Sequence, residues 1–304
     1  MMDLGAKPDW IAVDWGTTHL RVWLMSAAGK VLERRESDKG MGGLARDAFE
    51  PTLHALLQDK LTDTPLPVLV CGMAGSRQGW AEAPYVAVPC APPGVADATH
   101  LSVPAMEVFI LPGVKQSSPA DVMRGEETQI AGFLSGEPDY DGVLCLPGTH
   151  NKWVHISAGE IVSFRTFMTG ELFDLISTRS VLRHSVNTDG WDQSAFDAAL
   201  ADTMSRPADL AAKLFSLRAE GLLENLSAEA ARTRLSALLI GAELAAAKPY
   251  WLGQQVVILG EDTVARAYET ALAAQGAAVR VVEAENATLA GLVAAYNSLK
   301  KALA

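Results

Sequence analysis

The chain has little of what a secreted, membrane-bound or nucleic-acid-binding protein needs. Its 304 residues contain three cysteines, Cys71, Cys90 and Cys145, with no CxxC spacing. That scatter argues against a disulfide framework and against a structural zinc site. Cys71 and Cys145 sit inside apolar runs and read as small core residues. No uninterrupted apolar run reaches bilayer-spanning length, and no basic segment followed by an apolar one opens the sequence, so a cytoplasmic location is expected. Positive charge is scarce. Lys plus Arg number 25 against 36 Asp plus Glu, a net charge of −11, which disfavours nucleic acid and anionic membranes as partners. A small molecule is the expected partner. Two nucleotide signatures are also missing. There is no GxxxxGK[ST] and no GxGxxG, which removes P-loop and dinucleotide-fold readings.

What is present is a folded composition, 49% hydrophobic and 20% charged, in a chain long enough for two domains. Trp10–Asp14 reads as a buried strand, Trp15–Thr18 as a tight turn, and residues 20–25 and 30–35 as two further strands of an antiparallel meander. A helix is expected over residues 49–60 and a strand over 67–71. Residues 84–119 are rich in Pro and Gly, with only short strand-like pieces such as 108–111. Another helix begins at Glu126. The opening layout then recurs. Residues 141–146 form a strand, Pro147–His150 a turn, 152–156 a strand, and a second turn leads into 161–164. Gly16–Thr17 matches Gly148–Thr149, and Gly29 matches Gly159, an internal repeat in which turn, strand and turn keep their order. Beyond residue 170 the pattern is helical and Ala/Leu-rich, with strands at 256–259 and 279–282 and a last helix at 287–303. Alternating strands and helices indicate α/β architecture.

The two Gly-Thr turns are the first chemical candidates. Glycine lets a phosphate approach the backbone, its N–H groups are donors, and a threonine hydroxyl adds another. Gly16, Thr17 and Thr18 in one copy, with Gly148 and Thr149 in the other, could therefore grip one polyphosphate from two sides. Lys152 follows the second turn and could neutralise phosphate charge. Only the first copy ends its strand in a carboxylate, Asp14; the second has Leu146 there. Asp14 suits a Mg²⁺ ion held beside the phosphates, the alternative being a carboxylate that merely caps the turn.

Five strings then occur in order: Asp14-Trp-Gly-Thr-Thr18, Arg124-Gly-Glu-Glu-Thr-Gln129, Pro147-Gly-Thr-His-Asn-Lys-Trp153, Phe164-Arg-Thr-Phe-Met-Thr-Gly-Glu-Leu172 and Leu238-Leu-Ile-Gly-Ala-Glu243. Together they resemble the 2-dehydro-3-deoxygalactonokinase family over nearly the whole chain. One departure is Asn151, where family members often carry Cys. The resemblance implies a two-domain actin-like ATPase fold of ribonuclease H-like, duplicated mixed-sheet domains with a central cleft that closes on ATP. It implies ATP and Mg²⁺, and phosphorylation of the 6-hydroxyl of 2-dehydro-3-deoxy-D-galactonate in D-galactonate breakdown. Related kinases place a catalytic Asp at the start of a helix before the second phosphate turn. Here that place holds Glu126 and Glu127, so one of them is the expected general base, Glu126 before Glu127. Both would also serve simply as helix-start carboxylates.

An acid substrate calls for arginine, whose fork pairs with a carboxylate. Arg124 and Arg165 are the candidates, with Arg77 nearby. Gly75 and Ser76 mark the substrate loop of related kinases, and Trp80 is either a pocket floor or an ordinary core tryptophan. Adenosine is expected near Gly241, Glu243 and Gly260, with Glu243 or Glu261 on the ribose hydroxyls; helix packing is the other reading of Gly241. The first domain is expected to comprise residues 1–138 and the last helix, 287–304, and to carry the sugar acid. Residues 139–286 form the second, the adenosine side. Helical surfaces rich in Trp and Ala leave room for a homodimer. Another sugar kinase, a phosphohydrolase on the same fold, and a nucleotide-gated actin-like binding protein remain the rival readings.

Overall fold

The structure is a computed structural model that describes residues 7–260 and 262–303. The chain folds as two compact units. The first holds the residues up to Tyr140, Ile156–Ser163, and those from Ala284 on; the second holds Asp141–His155 and Phe164–Glu283.

In the first unit, β1 (Trp10–Trp15), β2 (Leu20–Met25) and β3 (Val31–Ser37) form the expected meander. Helix α1 (Phe49–Leu57) carries the chain over to β4 (Leu66–Gly72), which lies parallel to β1. The Pro- and Gly-rich stretch is more ordered than its composition suggests. It contains β5 (Tyr85–Ala87), β6 (Thr99–Val103), β7 (Met106–Ile110) and β8 (Gly113–Ser117), followed by β9 (Ala120–Met123) and α2 (Glu126–Gly136). The main sheet runs β3-β2-β1-β4-β7-β6, and β5, β8 and β9 make a small second sheet. The later strands are three to five residues long, too short to show a clear period of two.

Strand β1 is apolar at successive positions because both of its faces are covered. Ile11, Val13 and Trp15 join Phe49 and Leu53 of α1 in one core. Trp10 and Ala12 join residues of α9 (Ala284–Leu303) in the other, where Trp10 stacks on Tyr296 with ring centroids 4.3 Å apart. A strand buried on both faces reads as a continuous hydrophobic run. Helix α9 also crosses α2 at very short range. A methyl group at Gly132 would lie 1.8 Å from the Ala287 carbonyl oxygen, and one at Gly291 would lie 2.0 Å from that of Thr128.

The second unit repeats the plan. Its strands are β10 (Gly142–Leu146), β11 (Asn151–Ser157) and β12 (Glu160–Phe167), with β13 (Gln255–Leu259) parallel to β10 and β14 (Ala278–Val282) parallel to β13. The order β12-β11-β10-β13-β14 matches β3-β2-β1-β4-β7 of the first sheet. The duplication read from two hairpin turns therefore extends to whole sheets. Helices α3 (Thr169–Arg179), α4 (Gln193–Ser205), α5 (Leu210–Leu223), α6 (Ala228–Ala246), α7 (Lys248–Trp251) and α8 (Asp262–Ala274) accompany it. The core brings Val143, Cys145, Trp153 and Ile258 from the strands against Phe196 of α4, Ile240 of α6 and Tyr268 of α8. The tip of the β11–β12 hairpin belongs to the first unit, where Ile161 forms a two-bond bridge with Cys90. Among the described residues, no helix is long and apolar enough to cross a membrane.

Candidate functional site

Asp14 stands one residue before the end of β1, opposite Arg21 on β2 and Cys71 on β4. Arg21 Nη1 donates to its Oδ2 at 3.2 Å, and the Cys71 thiol contacts Oδ1 at 3.8 Å. Burial raises the pKa of Asp14 above the usual carboxylate range. The Arg21 guanidinium opposes this, and the nearby Glu126 carboxylate adds to it. Asp14 and Glu126, 112 positions apart by number, are thus brought within electrostatic reach.

The following turn exposes Thr17 and Thr18. Its carbonyls are turned into the protein. Met41 N–H donates to Gly16 O at 3.0 Å, and Gly42 N–H donates to Thr17 O at 2.9 Å. Gly40 lies so close that a methyl group there would be 2.3 Å from Thr17 O. The sequence reading did not include this support. Its signal was the glycine-rich run Gly40-Met-Gly-Gly43. A turn whose oxygens are tied inward presents less negative charge to an approaching phosphate, the arrangement an anion site needs.

Two glycines bring the start of α2 to Asp14. Gly72 ends β4 at φ +87°, and Gly125 precedes α2 at φ +106°. A methyl group on Gly125 would lie 3.2 Å from Gly72 Cα, and one on Gly72 would lie 2.7 Å from Trp15 O. Only glycine combines these dihedrals with this proximity. The two glutamates beyond Gly125 then separate. Glu127 is fully buried, and its two oxygens accept the Gly125 N–H at 2.9 and 2.7 Å. Burial, and then the Glu126 carboxylate, push its pKa up to about 8. Glu126 is partly exposed, and its Oε2 accepts the Arg124 N–H at 3.0 Å.

Gly75 lies against Arg124, and Ser76 follows it in the chain. Arg124 is 8% exposed and lies over the Tyr85 ring, 4.2 Å from its centroid. Its Nη2 donates to Ala83 O at 2.8 Å. Among the described residues, its Nη1 has no hydrogen-bond partner, and neither does the Oγ of Ser76, which is 6% exposed. A methyl group on Gly75 would lie 2.7 Å from that Nη1. One of the two orphaned atoms, Arg124 Nη1, thus borders Gly75, and the other belongs to the next residue in the chain. Such atoms are costly without a partner. The same loop carries two further candidates. Trp80 is a core residue, edge-on to Trp15 at 6.0 Å and stacked on Phe49 at 6.4 Å. Arg77 is exposed and pairs with Glu82 at 3.5 Å.

In the second unit, Gly148, Thr149 and His150 are exposed on the turn between β10 and β11. Here too the carbonyls are tied back. Glu171 N–H, in the first turn of α3, donates to Thr149 O at 2.9 Å, and a methyl group on Gly170 would lie 2.1 Å from Gly148 O. His150 Nε2 meets Glu171 Oε2 at 2.5 Å, consistent with a turn residue. Lys152 is buried, and its Nζ donates to His150 O at 3.2 Å. Arg165 is exposed on β12.

The adenosine-side expectations need correction. Glu243 does not offer its carboxylate to a ribose. It is 3% exposed and accepts from Asn151 Nδ2, Trp153 Nε1, Thr169 Oγ1 and Tyr268 OH. Three of these donors meet Oε2 and one meets Oε1, so both oxygens are engaged within the protein. Burial raises its pKa, and these hydrogen bonds pull the other way. Gly241 serves helix packing: a methyl group there would lie 3.0 Å from Thr203 Cβ on α4. Gly260 is buried, its N–H bonded to Val282 O at 3.0 Å. Glu261 lies outside the described residues. Asn151 and Thr169 lie in the strings quoted above but carried no expected role, and Tyr268 lies in none of them; their bonds to Glu243 arise only on folding.

Comparison with known proteins agrees in kind. A family model described as 2-keto-3-deoxy-galactonokinase matches residues 14–295. A probable 2-dehydro-3-deoxygalactonokinase of Rhizobium meliloti (strain 1021) is 40% identical over 295 residues, covering 95% of this chain and 96% of that protein. The 2-dehydro-3-deoxygalactonokinase of Escherichia coli (strain K12) is 36% identical over 287 residues, covering 93% and 96%. A crystal structure of a Sinorhizobium meliloti protein of the same description superposes with a TM-score of 0.89 at 40% identity, over 95% of this chain and 96% of that one. The activator of 2-hydroxyisocaproyl-CoA dehydratase from Clostridium difficile, solved with bound ADPNP, matches at 13% identity with a TM-score of 0.53 over 97% and 96%. The last likeness is one of fold, the actin-like ATPase fold.

Proposed function

Because the chain belongs to the 2-keto-3-deoxy-galactonokinase family, we propose that it transfers the γ-phosphoryl group of ATP to the 6-hydroxyl of 2-dehydro-3-deoxy-D-galactonate. The observation that carries the acid-substrate part is the pair of orphaned atoms beside Gly75. Arg124 Nη1 and Ser76 Oγ are buried donors without partners among the described residues, and a sugar-acid carboxylate would supply the acceptors. Arg124 is already held by Ala83 O and the Tyr85 ring, so its free N–H is preorganised rather than mobile.

On this reading, the Gly16–Thr18 and Gly148–Thr149 turns take the phosphates through the threonine hydroxyls and through backbone N–H groups other than those of Gly16 and Gly148, which donate to His19 O and Asn151 Oδ1. Their carbonyls, tied inward to Met41, Gly42 and Glu171, support that role. Asp14 is the residue that would hold Mg²⁺. The fit rests on its raised pKa and on Glu126 nearby, since a hard cation relieves carboxylates that burial and mutual repulsion disfavour. Bound there, the ion would neutralise phosphate charge. Glu126 would take the hydroxyl proton as the new O–P bond forms and ADP leaves. Glu127 is the weaker candidate, because its oxygens already hold Gly125 and burial favours its neutral form. The first unit would then carry the sugar acid and the catalytic carboxylates, and the second the nucleotide base. Three free cysteines support a reducing compartment such as the cytoplasm.

The test is ADP release with the galactonate-derived acid beside its gluconate-derived epimer. Turnover should be selective for the first. Glu126→Gln should lower kcat by about 10²–10⁴-fold while nucleotide still binds. Full activity in that variant would remove Glu126 from the mechanism, and no turnover with either acid would overturn the substrate assignment.

A further inference from the structure

Glu243 is an expensive residue to keep. It places a carboxylate in the core of the second unit, on α6, with no cation among the four donors that meet it. Burying such a group is costly unless every lone pair is used. An amide could not do the same work. Its NH₂ would face either the Trp153 indole N–H or the donors on the other side. A purely structural core would be better served by an apolar side chain.

The bonds lead outward to one place. Glu243 Oε2 accepts from Asn151 Nδ2 at 2.8 Å, which fixes the Asn151 amide so that its Oδ1 accepts the Gly148 N–H at 2.7 Å. Tyr268 OH closes the arrangement, donating to Glu243 Oε2 at 2.8 Å and accepting from Asn151 Nδ2. The same Oε2 accepts from Thr169, the first residue of α3. The next two residues seat the turn from its other side: Gly170 lies against Gly148 O, and Glu171 N–H holds Thr149 O at 2.9 Å. On the remaining oxygen, Trp153 Nε1 donates at 2.7 Å and anchors β11. One carboxylate therefore sets both flanks of the turn that displays Gly148, Thr149 and His150.

We propose that Glu243 is a positioning residue that holds the Gly148–His150 turn in its phosphate-accepting shape, through Asn151 on one flank and Thr169 on the other. The inference rests on reading that turn as a nucleotide-phosphate contact. It replaces the ribose-binding role that the sequence suggested for this residue.

The experiment is titration calorimetry of full-length wild type, Glu243→Gln and Asn151→Ala, with a non-hydrolysable ATP analogue and, separately, with adenosine. Both variants should weaken the triphosphate by about tenfold or more, the worth of one or two phosphate hydrogen bonds. Adenosine affinity should stay within about twofold, because adenosine has no phosphate to misplace. A merely structural role would lower thermal stability without separating the two ligands. Unchanged triphosphate affinity in a folded variant would overturn the proposal, and so would equal weakening of both ligands. If Glu243→Gln does not fold, Asn151→Ala decides alone, since it leaves the carboxylate in place. Wild type that binds the triphosphate but transfers no phosphoryl group would refute the kinase reading and leave this inference standing. Wild type that binds no nucleotide would refute both.

Discussion

Replacing Gly75 by alanine puts one methyl group where Arg124 already sits. The added carbon would lie 2.7 Å from Arg124 Nη1, 3.0 Å from Ile110 Cγ2 and 3.2 Å from Ala83 Cβ. Of the three, Nη1 is the only atom at the far end of a long side chain, so although Nη2 and the Tyr85 ring hold the guanidinium it is the group that should yield. It is tethered at Nη2 by Ala83 O and would swing about that point, carrying Nη1 off its line to the substrate carboxylate. Losing one hydrogen bond to a charged group costs about 1.5–3 kcal/mol. That corresponds to a fall of roughly 10- to 150-fold in kcat/KM for the sugar acid. The KM for nucleotide should not change, because the perturbation touches no residue of either phosphate turn. Steady-state ADP release with each substrate varied in turn separates the two, and a thermal melt reports any overpacking cost separately, about 1–3 kcal/mol. A folded variant with wild-type kcat/KM for the sugar acid would refute the assignment of this corner to the carboxylate. So would an equal rise in both KM values.

Other perturbations probe the remaining parts. Asp14→Asn should abolish most turnover even at saturating Mg²⁺, and near-normal kcat would remove the metal role. Glu127→Gln should flatten the pH dependence of stability. With its pKa raised to about 8 from the ordinary 4.5, Glu127 stays protonated in the folded chain while the unfolded chain ionises. Its contribution is therefore fully present below about pH 4.5 and lost as pH rises to about 8, by up to on the order of 5 kcal/mol. Urea titrations of both proteins at pH 5 and pH 8 check this, and parallel pH dependences would contradict it. Gly132→Ala should destabilise by at least about 1–3 kcal/mol, because the methyl group would meet the Ala287 carbonyl oxygen at 1.8 Å and force α2 away from α9. An unchanged melting temperature would mean that this crossing is looser than drawn.

Legibility followed distance along the chain. The Asp14–Thr18 and Pro147–Trp153 strings were readable because a strand, a glycine turn and a second strand lie within about a dozen residues, where periodicity and turn chemistry act directly. The strands between Tyr85 and Met123 were largely unreadable. They are short, their pairing partners lie elsewhere in the sheets, and proline and glycine obscure their alternation. Trp80 shows a different limit. Its residue type fits both a sugar platform and a core, and only its contacts with Trp15 and Phe49 decide for the core.

The sequence by itself determined the duplicated strand layout, the two Gly-Thr turns, the single carboxylate at the end of the first strand, and the family. Those properties are local, or are carried by ordered strings. The tertiary structure decided which glutamate faces inward, which arginine N–H is unpartnered among the described residues, and that Glu243 is buried against Asn151 and Trp153 about ninety residues away. Burial and hydrogen-bond saturation are properties of what surrounds a side chain after folding. No residue type or spacing records them, so Glu126 and Glu127 look alike in the sequence and differ only once Gly72 and Gly125 have met.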